Sequence, residues 1–345
     1  MKKIVKLQLK LAVPLIVVGG FFAYYIYSQV FSGLNTDVVT TEENQGDDFY
    51  KRLDGTVSDK DNENLLPVAV MIENHIASRP QSGLSRAKIV YEILVESDIT
   101  RFVAIYDLTE GLDKIGPVRS ARSYLIDIAG EYGAVYSHSG GSPDSLSILR
   151  RTDLVFNLDE FFGYNTGYYF RDNNRYAPHN LYTSSELLLS AKEHYQLSDD
   201  SNFDKWKLKD GSISTSDEEI SISIDYSNIP THQVIWKYIK DYNKYERWQN
   251  NNRHIDANGS VIEVDNIIVQ YADTKVIDSI GRKDINLIGS GMAVIFRDGI
   301  TIEGSWRKKL SSQRTKFYDE GGNEIELNRG ITWIQVVPTE MEIIY

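Results

Sequence analysis

The sequence predicts an α+β (or α/β) N-terminal domain followed by a mainly antiparallel β C-terminal domain, both behind one apolar N-terminal segment. Three observations carry this expectation. Between residues 65 and 211, strand-length apolar runs alternate with runs of helical period. From residue 212 the apolar runs are short and alternating, separated by tight-turn signals, with almost no helical period. Ahead of both, residues 11–31 contain no charged side chain.

The first ten residues, MKKIVKLQLK, carry Lys2, Lys3, Lys6 and Lys10 and no acid. The uncharged run from Leu11 to Phe31 is long enough to cross a hydrocarbon core of about 30 Å at about 1.5 Å per residue. Tyr24, Tyr25 and Tyr27 then lie at the far interface, and the lysines hold residues 1–10 on the cytoplasmic side. The rival reading is a cleavable signal peptide, whose apolar region is shorter and ends in small residues. Ser28-Gln29-Val30 and Ser32-Gly33 offer no such pattern. The expectation is therefore a single-pass anchor at 11–31 in the cell membrane, with the bulk of the chain extracytoplasmic. Residues 32–64 read as a polar, acidic linker without periodicity.

Composition removes several function classes. There is no cysteine, so disulfides, thiolate nucleophiles, Cys-ligated zinc and iron–sulfur clusters are excluded. The net charge is −12; setting aside the four lysines of the tail leaves 33 basic against 49 acidic residues, a net of −16. Nucleic acid is a poor partner for such a surface, and an anionic polymer would bind only at a local basic pocket. The 22 tyrosines suit either half-buried sheet positions or flat carbohydrate-binding surfaces.

In the first domain, 65–211, LPVAVMIEN reads as a buried strand. KIVYEILV and RFVAIYD read as two strands joined by ESDIT, a connection of hairpin length. SARSYLIDIAGEYG spaces Ala121, Tyr124, Leu125, Ile128 and Ala129 as a helix stopped by Gly130 or Gly133. GAVYSH is a short strand. SPDSLSILR opens a second helix with Ser142 as N-cap and Pro143 at its first position. RDNNRYAPHNLYTS is a long polar loop, and SSELLLSAKEHYQ is a third helix. In the second domain, 212–345, ISISIDY alternates strictly, and Asn258-Gly259 and Asp298-Gly299 mark tight hairpin turns.

Three constellations are candidates for chemistry. In GPVRSARSY, Ser120 is placed to cap the following helix, with Arg119 and Arg122 projecting to one side of its entry. Guanidinium groups, hydroxyls and free amides there would hold a phosphate, sulfate or carboxylate. The alternative is that both arginines pair with the chain's own acids, such as Asp107 or Glu96. In YSHSGGSP, a strand ends at His138 and opens into Ser139, Gly140, Gly141 and Ser142, where a ligand approaches the main chain; the alternative is a simple turn. The loop RDNNRYAPHNLYTS contributes Arg171, Arg175, His179, Asn180 and Tyr182. His138 and His179 are candidates for an acid–base pair. Glu73 or Glu92 with the two histidines is weighed as a metal set, but no close ligand pair exists, and no metal is expected. Glu92 and Glu96, with Asp98 and Asp107 nearby, permit a glycosidase-like pair, although solvated carboxylates are common in so acidic a chain. Phosphate-binding glycine motifs are absent, so no nucleotide cofactor is expected.

The run LPVAVMIENHIASRPQSGLSRAKIVYEILVESDITRFVAIYD, followed in order by IGPVRSARSYLIDIA, YSHSGGSP and APHNLYTS, resembles the YerB-like bacterial proteins, a two-part family of unknown function. GRKDINLIGSGMAVIFRDG, GSWRKK and GITWIQVVP are similar to its C-terminal part. The likeness runs from Leu65 to Pro338. It implies a lipoprotein-like location outside the cell membrane, and it supplies no catalytic residue. This chain departs in having no lipid-carrying cysteine, so an uncleaved helix would take that place.

Two readings follow. In the first, the chain is an envelope binding or accessory protein. It holds an anionic group of a wall glycan, polymer or peptide at Arg119, Ser120, Arg122, Ser139, Gly140, Gly141, Arg175 and Asn180, while GSWRKK docks an envelope protein. In the second, it is a hydrolase or transferase acting on a phosphodiester or glycosidic bond, with His138 and His179 as acid and base.

Overall fold

The computed structural model describes residues 53–56, 66–199, 203–215, 219–227 and 229–345. The expected tail and anchor, 1–31, and nearly all of the linker, 32–64, lie outside the described residues. Among the described residues no helix is long and apolar enough to cross a membrane.

Five strands come from the first half: β1 (Val68–Glu73), β2 (Ile89–Glu96), β3 (Ile99–Tyr106), β4 (Val135–His138) and β5 (Phe156–Asp159). The runs of β1 to β3 are apolar nearly throughout because helices or sheet cover both faces, and almost every residue in them is buried. Three helices follow the expected positions: α1 (Ser123–Gly130), α2 (Pro143–Leu149) and α3 (Ser185–His194). Ser142 caps α2 by accepting from the Ser145 amide, with Pro143 at the first turn. Ser184 caps α3 in the same way, accepting from the Leu187 amide.

The second half adds β6 (Ser221–Asp225), β7 (Gln233–Ile239), β8 (Lys244–Gln249), β9 (Asn266–Ala272), β10 (Gly289–Arg297), β11 (Ile300–Lys308), β12 (Lys316–Asp319) and β13 (Thr332–Pro338). Asp298 and Gly299, both at positive φ, form the tight turn between β10 and β11. An α/β first half and a mostly antiparallel second half are thus both present.

Among the described residues ten strands form one sheet, in the order β12-β11-β10-β9-β13-β2-β3-β1-β4-β5. The last long strand, β13, inserts between β9 and β2 and runs parallel to both. The change of texture near residue 211 therefore coincides with no break in the sheet, and all described residues fall in one compact unit, 50–345. A smaller antiparallel sheet built on β6, β7 and β8 packs against it. Its alternating residues point Ile222, Ile224, Val234 and Trp236 inward, and the Trp236 ring meets Trp333 of β13 edge-on, with centroids 5.3 Å apart.

Pairing directions decide what gathers at one edge. β1, β4 and β5 are mutually parallel, and β3 is antiparallel to both β1 and β2. The C-terminal ends of β1, β2, β4 and β5 and the start of β3 therefore share one edge. That edge presents Glu73, Glu96, Arg101, His138 and Asp159.

Candidate functional site

The GPVRSARSY segment crosses this edge. Val118 bridges Ile72, the Arg119 amide donates to the Met71 carbonyl at 2.9 Å, and the Glu73 amide donates to the Pro117 carbonyl at 3.0 Å. The segment is held as an extra strand-like piece and is not the capped helix entry expected. The residue preceding α1 is Arg122, with no side-chain cap, so Ser120 does not cap it. The Ser120 carbonyl instead accepts from Arg101 Nη1 at 2.9 Å.

The two arginines part company. Arg122 is ion-paired with Glu96, and its Nη1 donates to the Ala121 carbonyl at 2.6 Å. Glu96 also takes Arg101 Nη2 at 3.0 Å. Both terminal nitrogens of Arg122 are therefore engaged within the protein, which corrects its expected ligand role. Asp107, the other acid expected to pair with these arginines, holds the Thr109 amide and hydroxyl. Arg119 places its Nε 3.0 Å from Glu73 Oε1, a charge contact without hydrogen-bond alignment. Its two terminal nitrogens have no partner among the described residues. Burial first, and the neighbouring Arg119 second, pull Arg101 down to about 10, so it stays cationic at neutral pH.

The glycine-serine loop is also committed internally. The Gly140 amide donates to Asp159 Oδ1 at 2.8 Å, and its carbonyl accepts from the Ala121 amide at 2.9 Å. Gly140 needs its positive φ of 61° to make this turn. Gly141 packs so closely that a Cβ there would sit 2.5 Å from Ser145 Oγ. The Gly140 amide is thus filled by the chain's own acid, and the Ser139 and Ser142 amides donate to the Arg119 and Ala121 carbonyls. Ser139 donates its hydroxyl to Glu160 Oε2 at 2.5 Å, and Arg171 reaches Glu160 Oε1 at 2.8 Å. Arg171 also bonds the Asn180 amide oxygen at 3.1 Å, and Asn180 Nδ2 donates to the Arg175 carbonyl at 3.3 Å. Arg175 itself reaches the Pro80 carbonyl at 2.7 Å.

The histidines do not form a pair. His138 is fully buried against Tyr136, with Nδ1 bonded to the Gly140 carbonyl at 2.9 Å and Nε2 to the Asn157 side-chain amide at 2.7 Å. With both ring nitrogens engaged and no solvent contact, it has no route for proton exchange, which corrects the expected acid–base role. His179 is different. Its Nδ1 lies 2.7 Å from Glu73 Oε2, its ring stacks on His75 with centroids 5.0 Å apart, and it is half-buried. Among the described residues its Nε2 has no partner. No hydrogen bond or ring contact joins it to His138 among the described residues.

The remaining expected chemistry resolves into structure. Glu92 is fully buried and bound by Arg247, so it forms no pair with Glu96. In GSWRKK, Trp306 is buried and donates to the Tyr271 carbonyl at 2.7 Å, while Lys308 Nζ lies 2.9 Å from Glu131. Trp306 and Lys308 thus staple the motif to the interior, while Arg307 and Lys309 remain exposed. Among the described residues no His, Asp and Glu group is placed to hold a metal ion.

What the sequence reading missed are two acids and the aromatics of the edge: Asp159, Glu160, and the loop residues Phe161, Phe162, Tyr164 and Tyr176. These four rings are exposed by 71%, 68%, 83% and 91%. Phe161 flanks Gly140, 3.5 Å from where a Cβ would stand, and the Tyr176 carbonyl accepts from the His179 amide at 2.9 Å. The signal was available in DEFFGYN, where two adjacent phenylalanines follow two acids and precede a glycine. Cavities of about 380 and 420 Å³ lie elsewhere, the first along β10 and β11 and the second beside α1. Neither is lined by Arg119, His179 or the exposed rings.

The comparisons with known proteins agree with the architecture. The model of the N-terminal domain of a protein of unknown function (DUF3048) matches residues 53–198, and that of its C-terminal domain matches residues 222–334. The "Putative lipoprotein YerB" of Bacillus subtilis (strain 168) is 33% identical over 278 residues, spanning 79% of this chain and 81% of the relative. The crystal structure of the YerB protein from Bacillus subtilis superposes with a TM-score of 0.73 at 28% identity, covering 84% of this chain and 98% of that one. The chain therefore belongs to the YerB-like family of proteins of unknown function, with both of the family's domains present in order.

Proposed function

We propose that this protein is a membrane-anchored, extracytoplasmic binding protein of the cell envelope, and that the strand-end edge is where it takes its ligand. The relative's name describes a lipoprotein. In this chain the uncharged run 11–31 behind four lysines takes the place of a lipid. The ligand is an anionic wall component: a glycan, polymer or peptide carrying a carboxylate or phosphate.

One observation carries the reading. Four solvent-exposed aromatic rings, Phe161, Phe162, Tyr164 and Tyr176, stand in the chain between the strand end at Asp159 and His179, and Arg119 of the same edge has its terminal nitrogens unspent among the described residues. Exposed rings cost hydration free energy unless something covers them, and flat rings suit sugar faces. A guanidinium with two free amino groups accepts a carboxylate or phosphate in a forked geometry. The net negative charge keeps polyanions away from the rest of the surface. The site of this proposal is therefore Arg119 with Phe161, Phe162, Tyr164 and Tyr176, and not Arg122 or the Gly140 amide, which Glu96 and Asp159 occupy.

The test is cosedimentation of the purified full chain with isolated wall sacculi. Binding is expected to weaken about tenfold or more in Arg119→Ala and in Phe161→Ala/Phe162→Ala. Equal binding by the original chain and both variants, or no binding by any, overturns the proposal.

A further inference from the structure

The Glu73–His179 pair asks for more than charge neutralisation. A carboxylate oxygen 2.7 Å from Nδ1 fixes that nitrogen as the one carrying the proton. In the neutral ring the lone pair is then on Nε2, and no protein group takes it among the described residues. Stacking on His75, with planes 12° apart, restrains the ring. The other oxygen of the same carboxylate faces Arg119 Nε at 3.0 Å. One carboxylate thus positions a proton acceptor and a cation side by side. This inference rests on the strand-end edge being the ligand site.

We infer that His179 is the general base of an ester hydrolase acting on O-acyl groups of a polyol or glycan. Nε2 takes a proton from water as the water oxygen bonds to the acyl carbon. The resulting oxyanion is held by the free amino groups of Arg119. Collapse breaks the bond to the alcohol oxygen, which receives the proton back from Nε2, giving a carboxylic acid and a free hydroxyl. Water is the only co-reactant. Glu73 is a positioning residue that holds the imidazole in one tautomer.

The geometry selects acyl transfer over the bonds considered from sequence. At an acyl carbon, water enters and the alkoxide leaves within reach of one imidazole, so a single ring serves both proton transfers. An in-line phosphoryl displacement places its attacking and leaving oxygens on opposite sides, and the second histidine, His138, is buried with both nitrogens engaged. A glycosidase mechanism needs two carboxyl groups flanking one bond, whereas Glu73 and Glu160 are each held by their own cation. A serine nucleophile is not used, because the Ser139 hydroxyl donates to Glu160.

The experiment is hydrolysis of 4-nitrophenyl acetate by the purified full chain, by His179→Ala and by His179→Gln, with folding checked by thermal melting. The rate is expected to fall about 100-fold or more in both variants. Free imidazole should restore part of the His179→Ala rate above imidazole's own background, a rescue that a merely structural role would not show. For Glu73→Gln, kcat is expected to fall with KM unchanged. Equal rates for the original chain and both His179 variants, or an original chain no faster than buffer, overturn the inference. Sacculus binding by the same proteins separates the two claims. Binding without turnover removes only the hydrolase, and His179-dependent turnover without sacculus binding removes only the wall-binding proposal.

Discussion

Arg247 of β8 and Glu92 of β2 form an ion pair with no solvent exposure at either side chain: Nη2 lies 2.9 and 2.7 Å from the two carboxylate oxygens. The pair joins the small sheet to the large one. Glu92 is completed by Asn74 and Thr100, and Arg247 by Gln249 and His254. The guanidinium also sits over Trp333, 5.1 Å from the ring centroid. Two charges so placed tolerate removal together far better than removal of one, because a lone buried charge has no compensation.

Arg247→Met is therefore expected to destabilise the chain by about 3–5 kcal/mol. Glu92→Gln combined with Arg247→Met should recover a large part of that loss. Urea denaturation of the single and double variants checks this, and a double variant no more stable than Arg247→Met contradicts it.

Stability should also fall on mild acidification. His254 Nδ1 accepts from Arg247 at 2.7 Å, and its Nε2 donates to Gln81 at 2.9 Å, which is the neutral ring. Burial first, then Arg247 and Arg79, hold it well below its ordinary value of 6.5. His232 is lowered in the same direction by burial and Arg79. The unfolded chain takes up these protons near pH 6.5 and the folded chain only at lower pH. The stability these rings carry is thus complete above pH 6.5 and lost progressively below it, at up to about 1.4 kcal/mol per pH unit per proton. Urea midpoints at pH 7.5 and 5.5 should differ, and the difference should shrink in His254→Gln.

Within GSWRKK, neighbouring residues should behave oppositely. Lys308 is buried and donates to the Asp127 carbonyl at 2.7 Å and to Glu131 at 2.9 Å, whereas Arg307 is exposed and lies over the Tyr318 ring. Lys308→Met strands the Glu131 carboxylate and is expected to cost about 3 kcal/mol or more. Arg307→Ala should cost about 0.5–1 kcal/mol or less. Thermal melts of the two variants decide the matter.

Arg119 and Arg122 should separate in the same manner, with function in place of exposure. Arg122→Ala removes one of the two cations that hold Glu96 and should lower stability by about 1–3 kcal/mol while sacculus binding persists. Arg119→Ala should weaken sacculus binding with a smaller stability loss. A binding defect confined to Arg122→Ala would assign the ligand contact to the wrong arginine here.

Local signals told the truth about local structure. The Ser142–Pro143 cap, the period of α1 and the Asp298-Gly299 turn each depend on a few adjacent residues, and each formed as read. Ser120 failed as a cap because the backbone around it pairs with β1, a contact distant in sequence. The strand β5 was missed because FNLD is too short to show a period. Asn250 and Asn251, both at positive φ after β8, form a turn that was readable and passed over.

By itself the sequence determined the order of elements, the two family domains, the acidic character and the absence of cysteine chemistry, because these depend on composition and near-neighbour pattern. It could not say which of its many ions meet. Tertiary structure alone decided that Arg122 and Arg247 are consumed by Glu96 and Glu92, that His138 is sealed, and that Glu73, Arg119 and His179 converge. The physical reason is that a charge's role depends on its partner and its distance from water. Both are set by strands β1, β2 and β3 and the crossing segment 116–122, whose register at the sheet edge no short stretch encodes.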